Sequence, residues 1–371
     1  MSAIPDKIMT WQMVQPASRN KETGEVTPGK IEKAEIPVPE LKAGEVLVEI
    51  AGCGVCHTDL GYFYDGVPTV SKPPLTLGHE ISGTVVACDK NDKNWMGKEV
   101  LIPAVMPCRQ CLLCKTGRGN RCLAQKMPGN SLGLYGGFSS HIPVPGVDLC
   151  EVTKRGDIPL SHLAVVADAA TTPYQAARRA DLRPGDNVII IGIGGGVGQY
   201  MGQIAKALCA RTVIGIDIDQ EKLERSLRFG ADFVINSKGK DARTVSGEFK
   251  GICKSNGLPS IGWKIFEVTG VKPGQEIALE LLSFIGKLIV VGFGMAKIEY
   301  SISRLMAFDA EIIGTWGCLP EYYPVVLDMV VHHKINIESF VETRPMSSIA
   351  ETFAEAHNTP PLKRIVLTPD F

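Results

Sequence analysis

The sequence predicts a two-domain α/β protein, in which a β-rich N-terminal region precedes a doubly wound parallel domain. A chain of 371 residues exceeds the size at which one hydrophobic core usually stops growing, so two domains are expected. Residues 45–105 contain short Val- and Ile-rich runs separated by Gly, Pro, Asn and Asp, which is typical of strands joined by tight turns. From about Asp168 onward, apolar strand-like runs alternate with helical segments, which indicates a parallel sheet covered by helices.

The individual elements follow these two patterns along the chain. In the first region the predicted strands are residues 45–50, 81–87 and 98–104. In the second region the predicted strands are residues 187–194, 212–219, 233–236, 263–270 and 286–293, and the predicted helices are residues 196–210, 220–231 and 274–284. An amphipathic helix is expected at residues 322–334, and a last strand at residues 363–371.

Composition and charge indicate which class of molecule the protein binds. The net charge of -1 gives no overall attraction to nucleic acid or to an anionic membrane surface, so a small-molecule partner is favoured. The N-terminus lacks the apolar run of a signal peptide, and the most apolar stretch, around Lys287, is too short and too broken to span a bilayer. We therefore expect a cytoplasmic protein, in which eleven unevenly spaced cysteines bind metal or stay free instead of forming disulfides.

A glycine-rich turn predicts a dinucleotide site. The stretch "VIIIGIGGGVGQ" is an apolar strand that enters a turn and then a helix, where backbone amides and the helix dipole can hold a pyrophosphate. Nineteen residues past the last glycine, the next strand ends in Asp217, whose carboxylate would accept hydrogen bonds from a ribose and repel a 2′-phosphate. We expect NAD instead of NADP, with Lys222 as a further ribose contact; the alternative is a glycine turn without a ligand. The predicted cofactor-binding residues of the turn are Gly192, Gly194, Gly195, Gly196, Val197 and Gly198.

A compact run of cysteines predicts a structural metal site. Cys108, Cys111, Cys114 and Cys122 have the spacing C-x2-C-x2-C-x7-C, which can fold four thiolates around one zinc ion. Four protein ligands leave no open position for a substrate, so the ion would stabilise the loop and take no part in catalysis. An iron–sulfur cluster and four free thiols are the alternatives.

A second, dispersed set of residues is the candidate for a catalytic zinc. Cys56 in "CGVCHTDLG", His79 and Glu80 in "LGHEISG", and Asp168 in "VVADAATTPY" offer thiolate, imidazole and carboxylate ligands. Three ligands plus water would leave zinc open as a Lewis acid. Each residue also has an ordinary structural interpretation: a buried thiol for Cys56, a core imidazole for His79, and a helix N-cap for Asp168.

Taken together, these motifs resemble the zinc-dependent alcohol dehydrogenases of the medium-chain dehydrogenase/reductase family. The resemblance spans nearly the whole chain through "GVCHTD", "GHE", the four-cysteine loop, "TPYQA", "GIGGGVG" with "GIDID", "GADFVINS" and "GKLIVVGF". It implies an α/β Rossmann cofactor domain plus a β-rich GroES-like catalytic domain. The implied boundaries are residues 1–169 for the catalytic domain, with a zinc lobe at about 103–125, residues 170–313 for the Rossmann domain, and residues 314–371 for a return to the catalytic domain.

The same resemblance assigns roles near the dispersed metal site. It implies Cys56, His79 and Asp168 as the ligands of the catalytic zinc, although many family members carry a cysteine where this chain has Asp168. Glu80 would be a nearby carboxylate or a transient fourth ligand, and Asp59 would orient the imidazole of His79.

The resemblance also implies a route for the proton. Thr58 matches the hydroxyl that accepts the proton of the alcohol. Family members often have a histidine three residues later, but this chain has Gly61, so Tyr62 or solvent would have to replace it. The nicotinamide carboxamide would bind backbone groups near Val291 and Gly292.

The implied activity is hydride transfer from a secondary alcohol to NAD, with two zinc ions per chain. Within the family, the chain most resembles the enzymes of anaerobic aromatic degradation that oxidise the CoA thioester 6-hydroxycyclohex-1-ene-1-carbonyl-CoA. The alternatives are a simple or cyclic alcohol without CoA, and a non-enzymatic nucleotide-binding relative. The resemblance implies a homodimer or homotetramer, and the near-neutral net charge argues against a nucleic-acid or membrane partner.

Overall fold

The computed structural model describes residues 5–20, 22–89 and 94–371. Its strands, in chain order, are β1 (Lys7–Gln15), β2 (Ser18–Arg19), β3 (Val26–Thr27), β4 (Lys30–Pro37), β5 (Glu45–Gly54), β6 (Leu75–Thr76), β7 (Glu80–Cys88), β8 (Glu99–Ile102), β9 (His141–Pro145), β10 (Cys150–Glu151), β11 (Asn187–Ile191), β12 (Thr212–Asp217), β13 (Phe233–Asn236), β14 (Lys264–Glu267), β15 (Lys287–Val290), β16 (Glu311–Gly314), β17 (Val341–Pro345) and β18 (Arg364–Thr368). Its helices are α1 (His57–Tyr64), α2 (Leu112–Lys115), α3 (Thr171–Arg179), α4 (Gly198–Ala207), α5 (Gln220–Arg228), α6 (Ala242–Ser255), α7 (Lys272–Leu281), α8 (Ser303–Phe308), α9 (Tyr323–Val331) and α10 (Ile349–Asn358).

The chain divides into two compact units. The β-rich unit comprises Met1–Thr171, Gly317–Val331 and Ile337–Phe371, and the α/β unit comprises Thr172–Trp316 and His332–Asn336. The last part of the chain therefore returns to the unit in which the chain begins. Within the described residues, no helix combines the length and the apolar character needed to cross a membrane.

The α/β unit is a six-stranded parallel sheet in the order β13-β12-β11-β14-β15-β16, and the predicted fold class is confirmed. Its central strands are rich in buried Ile and Val because helices cover both faces of a parallel sheet. The carboxyl ends of β11, β12, β14 and β15 lie at one edge of the sheet, so the loops that follow these strands meet there.

The β-rich unit is built on a mostly antiparallel sheet in the order β10-β8-β7-β5-β18-β17, with β9 also paired to β5. Its core contains Leu77, Phe138 and Ile142 from the first half of the chain and Phe353 from α10. Strand β18 pairs with β5 next to the point where β5 gives way to α1. The C-terminal strand is therefore part of the scaffold under the dispersed metal site.

Helices α6 and α10 are the two longest of the helices that were not expected from the sequence. Helix α10 buries Ile349, Thr352, Phe353 and Ala356, which are spaced at i, i+3, i+4 and i+7, so a helical signal was present. Helix α6 begins at the N-cap Asp241, whose side chain accepts a hydrogen bond from the Thr244 amide at 2.8 Å.

Candidate active site and metal centres

The dispersed metal-ligand candidates lie together in the β-rich unit. Cys56 is the N-cap of α1, His79 directly precedes β7, and Asp168 ends the buried turn of residues 160–167. With Glu80 they form one group whose ligand atoms all lie within 4.8 Å of one another. The Cys56 Sγ is 3.8 Å from Asp168 Oδ2, and His79 Nε2 is 3.6 Å from the same oxygen.

These separations fit one zinc ion. Zinc bonds of about 2.0–2.3 Å in tetrahedral geometry place neighbouring ligand atoms about 3.3–3.8 Å apart. The distances from Asp168 to Cys56 and His79 fall at the upper end of this range, and they are too long for strong direct hydrogen bonds. Thiolate, imidazole and carboxylate together form a donor set that suits zinc.

Asp59 holds this group of candidate ligands in position through its buried carboxylate. Its carboxylate is fully buried and accepts hydrogen bonds from the amides of Cys56 at 3.1 Å and Gly78 at 3.0 Å. Its Oδ1 atom lies 3.4 Å from His79 Nδ1, which leaves Nε2 directed toward Asp168. Burial acts to lower the pKa of His79, but the charges of Asp59 and Cys56 outweigh it and raise the pKa well above its usual value. The same negative charge would attract a metal cation.

Glu80 is held by an arginine from the far end of the sequence. The Arg364 guanidinium on β18 binds the Glu80 carboxylate through two contacts, Nε to Oε2 at 3.0 Å and Nη2 to Oε1. Both groups are buried, and a Cβ at Gly54 would lie 2.1 Å from Glu80 Oε2, so the carboxylate occupies space that only glycine at position 54 leaves open. The sequence analysis missed Arg364 because it is 284 residues from Glu80 and lies in no motif.

Thr58 lies in the first turn of α1, two residues after Cys56, and is half-buried. Tyr62 on the same helix is unsuited to act as a base. Its hydroxyl accepts a hydrogen bond from Asn130 Nδ2 at 2.7 Å, and burial raises the pKa of Tyr62 to about 12. The high pKa makes Tyr62 a weaker candidate than solvent to replace the missing histidine at position 61.

The four-cysteine loop closes into a compact cluster around helix α2. The Sγ distances are 3.9 Å from Cys108 to Cys114, 3.5 Å from Cys111 to Cys114 and 3.8 Å from Cys111 to Cys122. Four thiolates around one zinc ion should lie about 3.8 Å apart, so the cluster fits the ion. The backbone amides of Gln110 and Cys111 lower the pKa of Cys108 to about 6, which favours the thiolate that a metal needs.

An arginine within the cysteine loop ties it to the β-rich unit. Arg109 has the left-handed backbone φ of 61° and directs its guanidinium to the buried carboxylate of Asp148. The Nε–Oδ1 distance is 3.1 Å, and a second contact comes from Nη2. The sequence analysis did not identify this anchor.

The glycine turn of the α/β unit connects β11 to α4. Gly192 has a positive φ of 86°, and a Cβ there would lie 2.5 Å from Thr269. A Cβ at Gly198 would lie 2.0 Å from the Gly192 carbonyl oxygen, so α4 begins in close contact with the turn. No side chain caps the N-terminus of α4, and the amides of Gln199 and Tyr200 donate to the carbonyl oxygens of Gly195 and Val197 at 3.1 and 3.2 Å. Gly195, Gly196 and Val197 complete the turn.

Asp217 ends β12 beside this turn. Its Oδ2 accepts a hydrogen bond from the Gly194 amide at 2.8 Å, and its Oδ1 accepts one from the Ile218 amide at 2.8 Å. Lys222 also lies against Gly194, where a Cβ would be 2.4 Å from Lys222 Cβ and 3.1 Å from Asp217 Oδ2. The structure therefore brings together Gly194, Asp217 and Lys222.

Val291 and Gly292 follow β15 at the same edge of the sheet. Their amides donate to the backbone carbonyl of Glu267, at 2.9 and 3.0 Å. The buried Glu267 carboxylate in turn accepts hydrogen bonds from the amides of Thr269 at 2.8 Å and Gly270 at 3.2 Å. The sequence did not predict this locked pair of loops, because "EVTG" falls inside the predicted strand of residues 263–270.

Comparisons with known proteins agree with this architecture. Residues 42–154 match the alcohol dehydrogenase GroES-like domain, and residues 196–332 match the zinc-binding dehydrogenase family. An NAD-dependent alcohol dehydrogenase of Sulfolobus acidocaldarius is 30% identical over 310 residues, covering 81% of this chain and 86% of that protein. An alcohol dehydrogenase of Geobacillus stearothermophilus is 32% identical over 346 residues, covering 91% of this chain and 95% of that protein.

Solved structures are similar across the whole chain. The crystal structure of galactitol-1-phosphate dehydrogenase from Escherichia coli is 25% identical, with a TM-score of 0.83, and covers 97% of this chain and 100% of that one.

Proposed function

Because this chain belongs to the zinc-dependent medium-chain alcohol dehydrogenase family, we propose that it oxidises a secondary alcohol at the Cys56, His79 and Asp168 group. The chain is an NAD-dependent zinc alcohol dehydrogenase. The observation that carries the assignment of the site is the buried group of thiolate, imidazole and carboxylate at ligand distances. The four-cysteine cluster offers zinc four ligands and no open position, so it is proposed as the structural zinc site.

Cys56, His79 and Asp168 are proposed to hold the catalytic zinc. When bound there, zinc is a Lewis acid that makes an alcohol hydroxyl more acidic. Asp59 orients the imidazole of His79 for this role, as carboxylates commonly do for metal-bound histidines. Glu80 remains paired with Arg364, and we propose that this pair tunes the charge near the metal without leaving an unpaired carboxylate in the core.

Thr58 is the proposed acceptor of the alcohol proton. Thr58 lies in the first turn of α1, two residues after the N-cap Cys56, so its hydroxyl is on the helix that follows a metal ligand. A hydroxyl is suited to this role because it accepts one proton while it donates its own.

The glycine turn is proposed to hold the pyrophosphate of NAD, and Asp217 the adenosine ribose. NAD supplies the acceptor for the hydride. The Asp217 carboxylate is already fixed by three amides, those of Gly194, Ile218 and Asp219, so it is a rigid negative charge that would repel a 2′-phosphate. Lys222 is proposed as a further ribose contact, and the backbone near Val291 and Gly292 as the partner of the nicotinamide carboxamide.

As a finer assignment of the substrate we propose 6-hydroxycyclohex-1-ene-1-carbonyl-CoA, with a simple or cyclic alcohol without CoA as the alternative. The proposal rests on the sequence resemblance and on three exposed cations of the zinc lobe, Arg118, Arg121 and Lys126, which could bind the phosphates of CoA. An enzyme that acts on this CoA thioester would take part in the degradation of aromatic compounds.

A homodimer or homotetramer is also proposed. Strand β16 lies at the open edge of the parallel sheet, and exposed apolar side chains lie just before β15 and at the N-cap and within α8: Phe284, Ile285, Ile302 and Met306. An unpaired edge with apolar surface beside it favours pairing with a second copy. Sedimentation velocity would test this proposal, and a monomer at micromolar concentration would contradict it.

The proposed function is tested by metal content and turnover together. The purified protein should contain about two zinc ions per chain, and it should reduce NAD when offered secondary alcohols, followed by the absorbance of the reduced nicotinamide. The CoA thioester and the corresponding free acid form the matched substrate pair. If turnover with the free acid equals turnover with the thioester, the CoA assignment is wrong while the alcohol dehydrogenase assignment stands.

A further inference from the structure

The route by which the proton leaves the site has not been assigned to any residue of this chain. Oxidation of an alcohol by NAD gives a ketone, reduced NAD and one proton, so Thr58 must pass a proton onward with every turnover. Gly61 offers no side chain for this task, and the Tyr62 hydroxyl is buried against Asn130. This inference rests on the proposed function and asks which group takes the proton from Thr58.

One face of helix α1 leads from Thr58 to an acidic residue. Thr58, Gly61 and Asp65 are spaced at i, i+3 and i+7, which puts all three on the same side of the helix. Asp65 caps the helix, and its amide donates to the Gly61 carbonyl at 3.1 Å. Thr58 and Asp65 are separated by roughly 10 Å along the helix axis. A direct transfer is too long, but a short chain of waters can span it.

Gly61 leaves the space between these two residues open. A Cβ at Gly61 would meet only Val67 Cγ2 at 3.6 Å and Asp65 Oδ2 at 3.9 Å among the atoms of the described residues. Both are ordinary contacts, so the helix surface here has room for a side chain or for water. The carboxylate of Asp65 therefore borders the position that the helix leaves without a side chain.

Asp65 is paired with an imidazole that reaches solvent. His357 Nε2 on helix α10 is 3.6 Å from Asp65 Oδ1, and the two side chains are 34% and 40% exposed. The ring of His357 is stacked on Tyr64, with centroids 4.2 Å apart and an interplanar angle of 24°. The imidazole is thus held in place beside the carboxylate while one side of the pair faces water. Imidazole is the side chain best suited to take up and release protons near neutral pH.

We propose that the Asp65–His357 pair is the proton exit of this enzyme. As the alcohol C–H bond breaks, its electron pair leaves with the hydrogen to NAD, and the hydroxyl proton moves to Thr58 Oγ. Thr58 releases its own proton to water beside Gly61, and the water passes a proton to the Asp65–His357 pair. His357 takes up this proton as an imidazolium ion next to the Asp65 carboxylate and then releases it to solvent.

Among the described residues, His57 interacts electrostatically with Asp65, His357 and Arg364, and Tyr64 is stacked on the ring of His357. His57 lies one residue before Thr58 on α1 and four residues before Gly61, so it shares the Gly61 face of the helix. It is the competing candidate, and the experiment includes it for that reason.

The test follows the first turnover in a stopped-flow instrument, with reduced NAD read by its absorbance and proton release read by a pH indicator. The variants are Asp65→Asn, His357→Asn and the double variant, with Glu351→Gln on the exposed side of α10 as the matched control. We expect the double variant to slow proton release at least about tenfold. Imidazole buffer should restore the rate, and so should Gly61→His introduced into the double variant.

The inference would be overturned if the rate of proton release is unchanged in the double variant. It would also be overturned if His57→Asn alone slows proton release by the full amount expected of the double variant. A general folding defect would slow the reaction without rescue by imidazole, and it would also lower zinc content and affinity for reduced NAD; that pattern counts against the proposal too. Failure of the proposed function is distinguishable, because the wild-type protein itself would then fail to reduce NAD with any alcohol, which would remove both proposals.

Discussion

Replacing Arg364 with methionine should destabilise the protein by about 3–5 kcal/mol, the usual cost of removing one partner from a buried ion pair. We expect the loss of unfolding free energy to lie near the upper end of this range, because the pair is buried. Glu80 is fully buried, Arg364 is 9% exposed, and the two groups share two hydrogen-bonded contacts. Methionine keeps most of the aliphatic stem, so the decrease in the free energy of unfolding measures the contribution of the charge and its hydrogen bonds.

The matched control is Arg344→Met on the neighbouring strand β17. Arg344 also contacts two carboxylates, Glu342 and Glu355, but these are 43% and 49% exposed, so each ion pair should contribute at most about 1 kcal/mol. Urea unfolding of the zinc-loaded variants, followed by circular dichroism, measures both free energies of unfolding. The double variant Glu80→Met/Arg364→Met should regain most of the stability, because it leaves no unpaired charge. If Arg364→Met costs no more than Arg344→Met, the account of the buried pair is wrong.

Three further predictions concern the proposed metal and cofactor residues. Cys56→Ser or Asp168→Ala should lower turnover by about three orders of magnitude, since several kcal/mol of metal stabilisation is lost, while NAD still binds; full activity in either variant would remove the catalytic site. Cys122→Ser should reduce the zinc content from about two to about one ion per chain, and an unchanged zinc content would refute the four-thiolate site. Asp217→Ala should shift the ratio of kcat/KM values toward NADP by about 10–100-fold, the equivalent of a charged hydrogen bond of about 1.5–3 kcal/mol; an unchanged preference for NAD would show that Asp217 does not select the cofactor.

Local patterns in the sequence were sufficient to predict the two-part fold. The run of buried Ile in β11, the glycine turn and Asp217 lie within thirty residues or so of one another, and periodicity and turn chemistry act over such distances. The four cysteines of the zinc loop are also close in sequence. Their Sγ atoms lie at the separations that one zinc ion requires, as the spacing alone suggested.

Long-range partners could not be predicted in the same way. Arg364 reaches Glu80 because β18 pairs with β5, and one arginine in the last strand carries no local signal that names its partner. Asp65 and His357 meet through the packing of α1 against α10, and α10 itself was not expected from the sequence. The order of strands and the packing of helices set these contacts, and both are properties of the folded chain.

The most direct test of the whole account is a crystal structure of the zinc-loaded protein with anomalous data collected at the zinc absorption edge. The account predicts two anomalous peaks per chain, one among the four thiolates of the zinc lobe and one bonded to Cys56, His79 and Asp168. A single peak in the lobe, with Asp168 turned away from Cys56 and His79, would contradict the proposed catalytic site.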